Sequence, residues 1–359
     1  MILEFKQFKI ILVFNLNNLF FISKLLNTYS DPLLNDCYTI RWFENKDLPY
    51  YIEGLNMNLY DCYDEARFKW KMVNTPFSLG FASIVVVEYG NEPVAFNSFL
   101  PLKVRRGSEI FTIVQGCDGF VNPDHRRMGL FQETIRFMST ELSGKGPEML
   151  MGFNFAGATG AAQKAGSTVT CDVEKWTAKV SDIIKLEINP DVLIEETTLN
   201  DISRIYESWV SDTDLYHYYR APEYLSWRYS HPLRKSHFFR ITYGDLIGYV
   251  IASLEFENDK SFNIFIEDYT PMISKVKVLS AAIEKFLLLH DKIHEISFTT
   301  LSNSSISLAS LTLGFQPESM YKLIMKPIIG LESIGNKLFR NGIEITKIDK
   351  WHITCSDVY

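Results

Sequence analysis

The segment of this chain best suited to chemistry runs from Phe111 to Leu142. Phe111 to Val121 is rich in β-formers, Asn122-Pro123-Asp124 starts a turn and supplies capping side chains, and Leu130, Ile135, Phe137, Met138 and Leu142 recur at helical spacing. A strand that passes directly into a helix in this way leaves the N–H groups of the first helical turn without acceptors. The positive end of the helix dipole points at the same spot and favours an anion by ~0.3–1 kcal/mol, or about 2 when partly buried. Gly129 lets a diphosphate approach the main chain with no Cβ in the way, and Arg126 and Arg127 add charge at that corner. Asp118, two residues before Phe120 and so on the same strand face, is the first candidate for a general base. Glu88 and Asp124 are weaker ones. The competing reading of Asp118 is a carboxylate bonded to a loop amide.

The elements that must hold this segment occur twice. Phe68-Lys69-Trp70-Lys71-Met72-Val73-Asn74-Thr75-Pro76 resembles Leu225-Ser226-Trp227-Arg228-Tyr229-Ser230-His231-Pro232, and each is followed by two strand-like runs around a turn, at Tyr89-Gly90-Asn91 and Tyr243-Gly244-Asp245. Glu148 to Ser167 then parallels Glu295 to Phe315: a strand, a loop with Asn154 or Asn303, a short helix, and Gly166 or Gly314. The offsets shrink smoothly from 157 to 148 residues, as differences in loop length would make them. Each half reads helix, strand pair, long strand, helix, strand, helix, strand, which predicts a mixed sheet flanked by helices, an α/β (α+β) fold. The boundary falls between Lys179 and Asp191, with Ile183 to Ile188 as a closing strand and Asn189-Pro190-Asp191 as a turn. The expected units are an N-terminal extension over 1–37, a first domain over 38–182 and a second over 183–359.

Length and composition agree with two globular units. The chain has 359 residues, enough for two domains at ~150 each, and its 47% hydrophobic content excludes disorder as the dominant state. A net charge of −7 argues against a nucleic-acid surface. Cys37, Cys62, Cys117, Cys171 and Cys355 are odd in number and never in a C-x-x-C pair, so they read as thiols in a reducing, cytoplasmic compartment. His290 and His294 stand at i,i+4, but Asp291-Lys292-Ile293 lacks the glutamate of H-E-x-x-H, and no metal site is expected. The apolar run Ile10 to Leu26 contains Asn15, Asn17, Asn18 and Lys24. Those side chains place a packed helix or an ill-ordered extension first, a translation-start artefact second and a membrane anchor third.

The stretch Val121 to Phe131 resembles the acyl-CoA-binding signature of the GNAT N-acetyltransferase superfamily, R-x-x-G-x-G/A after a V-x-P turn; Arg126 and Gly129 match, and Phe131 replaces the small final residue. The Gly129-Leu130-Phe131 ending, the W-R-Y-x-x-P run at Trp227 to Pro232, and the terminus from Trp351 to Tyr359 are similar to a tandem branch of bacterial surface-polysaccharide gene clusters. The resemblance implies two tandem GNAT-like domains, each a mixed, splayed sheet flanked by helices, with acetyl-CoA or another acyl-CoA bound only by the first. It implies that the backbone of Phe120 and Val121 holds the pantetheine arm and that the amides of Arg126, Arg127, Met128, Gly129, Leu130 and Phe131 hold the diphosphate. Asn154 would contact the cofactor arm; an Asn after a strand is also a common turn residue.

The reaction so implied is acyl transfer to an amine, with an amino sugar among the acceptors. Many family members use a Tyr on the helix after the splayed strand as the acid, and none lies between Asn154 and Lys175. Three readings follow: another donor reaches in, the thiolate leaves with little help, or the domain binds CoA as a sensor or scaffold without efficient turnover. A FemABX-like aminoacyl transferase also pairs two such domains, but this chain has no basic tract for tRNA. The second half has neither the Gly nor the Arg pair at Ile264 to Lys277 and reads as a degenerate twin that builds part of the acceptor cleft. Tyr216, His217, Tyr218, Tyr219 and Arg220 either stack on an acceptor or pack between the halves. The sequence specifies no oligomeric state and no stable membrane insertion.

Overall fold

The computed structural model describes residues 4–5, 8–9, 37–60, 62–184, 190–211, 213–232, 234–258 and 261–358. The whole apolar run 10–26, and the closing strand expected over 183–188 from residue 185 onward, lie outside them. Residues 183 and 184 are not in a strand. Among the described residues no helix is long and apolar enough to cross a membrane.

The first half begins with β1 (Tyr38–Trp42) and α1 (Leu48–Asn58), then two short helical turns, Glu65–Phe68 and Lys69–Val73. It continues through β2 (Ile84–Tyr89), β3 (Glu92–Arg106), β4 (Glu109–Val121), α2 (Leu130–Leu142), β5 (Met149–Asn154), α3 (Ala156–Lys164) and β6 (Thr168–Lys179). The second half repeats this order with β7 (Val192–Glu196), α4 (Leu199–Val210), β8 (Tyr216–Tyr218) and α5 (Pro222–Arg228). Then come β9 (Lys235–Tyr243), β10 (Leu246–Asn258), β11 (Ser261–Tyr269), α6 (Val276–Leu287), β12 (Ile293–Leu301), α7 (Ser305–Thr312), β13 (Gln316–Pro327) and a short β14 (Trp351–His352).

The expected mixed sheet with flanking helices is present, but the halves share one continuous sheet. Its order is β14-β8-β3-β4-β5-β13-β6-β12-β11-β10-β9-β7, with β2 beside the first part of β3 and β1 beside β2. The last strand of each half has crossed into the other. β13, from the second half, pairs with β5 of the first, and β6, from the first, pairs with β12 of the second. The two exchanged strands run antiparallel at the centre.

The repeated residues meet as a reciprocal pair. The indoles of Trp70 and Trp227 stack with centroids 5.2 Å apart, and each Nε1–H donates to the other's carbonyl, at 2.8 and 2.6 Å. Gly166 and Gly314 both end a short helix at positive φ, and the next residues, Ser167 and Phe315, donate to carbonyls five residues back, the same C-capping geometry twice. Gly90 and Gly244 likewise take the left-handed positions of their hairpin turns. The five apolar residues expected to face inward from α2 are all buried, each contributing roughly 1.5–3 kcal/mol of transfer free energy. They anchor the helix whose first turn forms the site.

Candidate functional site

β4 and β5 pair in parallel from Ile113/Met149 to Gly116/Gly152 and then separate. β4 runs on to Val121 and β5 to Asn154 with no strand between them. This opens a cleft of about 530 Å³, walled by Asn97, Phe99, Phe131, Ile135 and Leu150 and bordered by Asp118, Asn154 and Tyr60. Two residues of the second half, Tyr321 and Ile324, reach it on the exchanged strand β13. The β4 edge facing the gap, from Cys117 to Phe120, offers backbone groups of the kind an extended amide-bearing chain would pair with, while the Val121 carbonyl is taken by Arg126.

Beyond Val121 the chain makes a single 3₁₀ turn, Pro123–His125, and enters α2. The amides of His125 and Arg126 are used internally, on Asn122 and Pro123, but those of Arg127, Met128, Gly129, Leu130 and Phe131 donate to no described oxygen of the protein. Arg127 and Gly129 both have positive φ, 67° and 81°, backbone values of the kind that turn neighbouring N–H groups toward one side. A Cβ at Gly129 would meet no protein atom within 4 Å. What is open at this turn is therefore main chain.

The arginine side chains divide. Arg126 is engaged by the protein, its Nε donating to the Val121 carbonyl (2.9 Å) and its Nη2 to Asn58 (2.8 Å), so it ties the turn to α1. Arg127 has no partner among the described residues. Leu130 is buried beneath the turn and Met128 exposed above it, so these two contribute N–H groups only. Phe131, the departure from the signature, fits because β4 has a glycine opposite: a Cβ on Gly119 would stand 2.7 Å from the Phe131 ring. Phe120 turns its side chain away, into the space left by Gly54 of α1. Asn154 borders the cleft, as does Asp118. Glu88 does not. It lies on β2, bonded to Arg41 and Thr39. Asp124 is also absent from the cleft lining.

Asp118 sits at a bulge where β3 and β4 change register, with φ at 46°. Its Oδ2 is 2.8 Å from Lys71 Nζ, and its Oδ1 accepts from the Tyr60 hydroxyl at 2.6 Å. Both charged side chains are buried, Asp118 1% and Lys71 7% exposed. Burial would depress the Lys71 ammonium, but the Asp118 carboxylate together with Cys117, Tyr60 and Tyr63 outweighs it and holds Lys71 above the ordinary lysine range. Burial raises the phenols of Tyr60 and Tyr63, and it pushes the Cys117 thiol up to about 12. Cys117 is thus a neutral thiol rather than a nucleophile. Asp118 shares the cleft border with the Tyr60 that donates to it, a residue the sequence reading missed. Lys71 was missed too, although a signal existed: the basic residue after each repeated Trp has the same partner type, since Arg228 pairs with Glu267 at the corresponding bulge of β11 (3.4 Å).

The second half closes the equivalent space. The amides of Ile273, Lys275 and Val278, after β11, donate to carbonyls of the turn itself. Beyond the last β11/β12 pair, Ile266/Phe298, lies the chain's own C-terminal segment. Thr354 donates to Asp268, the Ser356 carbonyl accepts from Arg228, and Asp357 pairs with Arg220 at 3.0 Å. Arg220 also pairs with Asp268 at 2.6 Å. Tyr216, His217, Tyr218 and Arg220 are therefore interior groups: His217 bonds Tyr206, and Tyr218 donates to Gln115. Burial and the nearby Arg220 push His217 down to about 2, so it stays neutral. Among the described residues no group of three or more His, Cys, Asp or Glu could hold a metal ion.

No protein-family model matches the chain, and no curated protein sequence does. Solved structures do match in fold. A GCN5-related N-acetyltransferase from Anabaena variabilis superposes with a TM-score of 0.60 at 12% identity, over 81% of this chain and 73% of its own. One from Kribbella flavida gives 0.57 at 12% identity, over 82% and 72%. A conserved protein of unknown function from Enterococcus faecalis, described as a probable N-acyltransferase, gives 0.59 at 10% identity, over 81% and 73%. At these identities the likeness establishes the fold.

Proposed function

We propose that this chain is an acyl-CoA-dependent N-acyltransferase that moves an acetyl group from acetyl-CoA to an amine, with amino sugars among the acceptors. The observation that carries the reading is a conjunction in the first half. An unpaired strand edge opens beside a parallel partner and leads to a turn whose five successive amides have no acceptor among the described residues. An elongated thioester with a diphosphate at its far end matches both. In this reading residues 38–182 and 183–359 are tandem GNAT-like units and 1–37 an extension. The reciprocal tryptophans and the exchanged strands support that division.

The neutral amine attacks the thioester carbonyl directly, because the cleft's cysteine is protonated and buried. Tyr60 takes the proton the amine must lose as it passes its own to Asp118, so Asp118 is a positioning residue and a proton store rather than a base open to the acceptor. In this reading an amide of the β4 edge polarises the carbonyl.

Two measurements test this. Saturating CoA is expected to raise the melting temperature, since ligand at 100 times its dissociation constant stabilises by about 2.7 kcal/mol. Acetyl-CoA with a panel of amines and amino sugars is expected to release free thiol. No melting shift sinks the reading; binding without thiol release across the panel favours a CoA sensor instead.

A further inference from the structure

Transfer of the acyl group leaves a thiolate that must take up a proton, and the helix α3 after β5 has no acidic side chain (Ala156–Lys164). Four cleft residues carry an ionisable proton or can store one: Tyr60, Cys117, Asp118 and Tyr321. Three are committed. The Tyr60 hydroxyl donates to Asp118, Asp118 is paired with Lys71, and the Cys117 thiol is fully buried beside that pair. Tyr321 differs: its ring packs on Phe155 with centroids 4.8 Å apart, and its hydroxyl has no acceptor among the described residues. It stands on β13 next to Lys322, which is in register with Asn154 at the end of β5 where the cleft is widest.

We infer that Tyr321, carried into the first half by the exchanged strand, is the proton donor to the departing thiol. The inference rests on the N-acyltransferase reading and names the group that completes it. As the nitrogen–carbon bond forms and the carbon–sulfur bond breaks, the electron pair of the latter goes to sulfur and the Tyr321 O–H proton follows. The amine's proton leaves by Tyr60 to Asp118, which releases it to solvent as solvent reprotonates the Tyr321 phenolate, so one amine and one thioester give one amide and one thiol and the enzyme is restored. Burial raises the Tyr321 phenol, with a smaller contribution from Cys355, and keeps it protonated at neutral pH. The titratable groups facing it are few. Cys355 is itself pushed up to about 12 and neutral, and Lys322, on the opposite face of the strand, is ion-paired with Asp172.

Because this tyrosine comes from the second half, that half would be part of the active site even without a cofactor of its own. Tyr321→Phe, which keeps the ring against Phe155, is expected to lower kcat for acetyl transfer roughly 100-fold. Its CoA dissociation constant, measured by calorimetry, is expected to stay that of the wild type. Fluorinated tyrosine installed at position 321 makes the phenol more acidic and is expected to move the alkaline limb of kcat to lower pH, a response that a packing role does not give. Wild-type kcat in Tyr321→Phe, or a limb indifferent to fluorination, overturns the inference and leaves the N-acyltransferase reading standing. A wild-type chain that binds CoA and releases no thiol overturns both.

Discussion

Replacing Asp118 by Asn separates what the buried pair does for the fold from what it does in the cleft. Asn keeps the shape and can still accept from Tyr60, but Lys71 loses the carboxylate 2.8 Å from its ammonium while 7% exposed. Breaking a buried ion pair from one side costs about 3–5 kcal/mol, because the remaining charge is left without compensation. Over the 359-residue chain, unfolding as one unit, this lowers Tm by roughly 4–7 °C. The loss is expected to depend on pH with a definite sign. In the wild type Lys71 is held above its ordinary range, so its contribution is fully present below the unfolded lysine value and is lost only as pH rises through the higher folded one. In Asp118→Asn burial, the largest influence on Lys71, loses its main opponent, the folded pKa is expected to fall below the unfolded value, and the deficit against wild type shrinks as pH rises from neutral to mildly alkaline. Urea denaturation at several pH values measures this, with Lys71→Met plus Asp118→Asn as the control expected to recover most of the loss. A variant as stable as wild type at neutral pH, or a deficit that grows with pH, refutes the account of the pair.

Two further substitutions probe the turn and the closed second half. Gly129→Ala puts a side chain at φ 81°, a strain of about 1–2 kcal/mol, yet its Cβ meets no protein atom. Calorimetry with CoA should therefore show affinity falling at least tenfold, ~1.4 kcal/mol, in a chain that remains folded; unchanged affinity counts against an anion site at the turn. Asp357→Asn leaves the fully buried Arg220 with Asp268 as its remaining carboxylate, and urea denaturation should register a loss of about 2–4 kcal/mol with CoA affinity unchanged. Wild-type stability would show that the C-terminal segment does not hold the second half closed.

The order of elements was legible because each half carries its own punctuation. Gly90, Gly244, Gly166 and Gly314 sit at left-handed positions that few other residues occupy, so they mark the same turns in both copies. The helix after Val121 was legible from its apolar spacing, and the turn from Asn122-Pro123-Asp124. The strand exchange was not. β6 and β13 have the same local sequence character whichever neighbour they pair with, and only long-range packing decides between β5 and β12. Residues that depend on that choice, Tyr321 above all, could not be placed from local pattern. Arg126 shows the opposite difficulty: its position in the motif was clear, but its hydrogen bonds to Val121 and Asn58 depend on where α1 comes to rest.

A basic residue after a tryptophan and a carboxylate at a strand bulge recur in both halves, as Lys71 with Asp118 and Arg228 with Glu267. The second pair stands where the amides of Ile273, Lys275 and Val278 are occupied and the chain's end fills the gap. Such a pair cannot owe its presence to acyl transfer alone. Its common task is architectural: it ties the helical segment bearing each tryptophan to the long strand of its own half, while the two indoles tie those segments to each other. What distinguishes the first half is therefore what has been added around the pair. Tyr60 stands over the carboxylate, five amides lie open beyond it, and a strand borrowed from the other half brings a tyrosine to the far wall. The second half, its own corresponding space filled by the C-terminal segment, thereby supplies a wall of its neighbour's cleft, and separating the halves would expose two sheet edges and remove Tyr321 in one step.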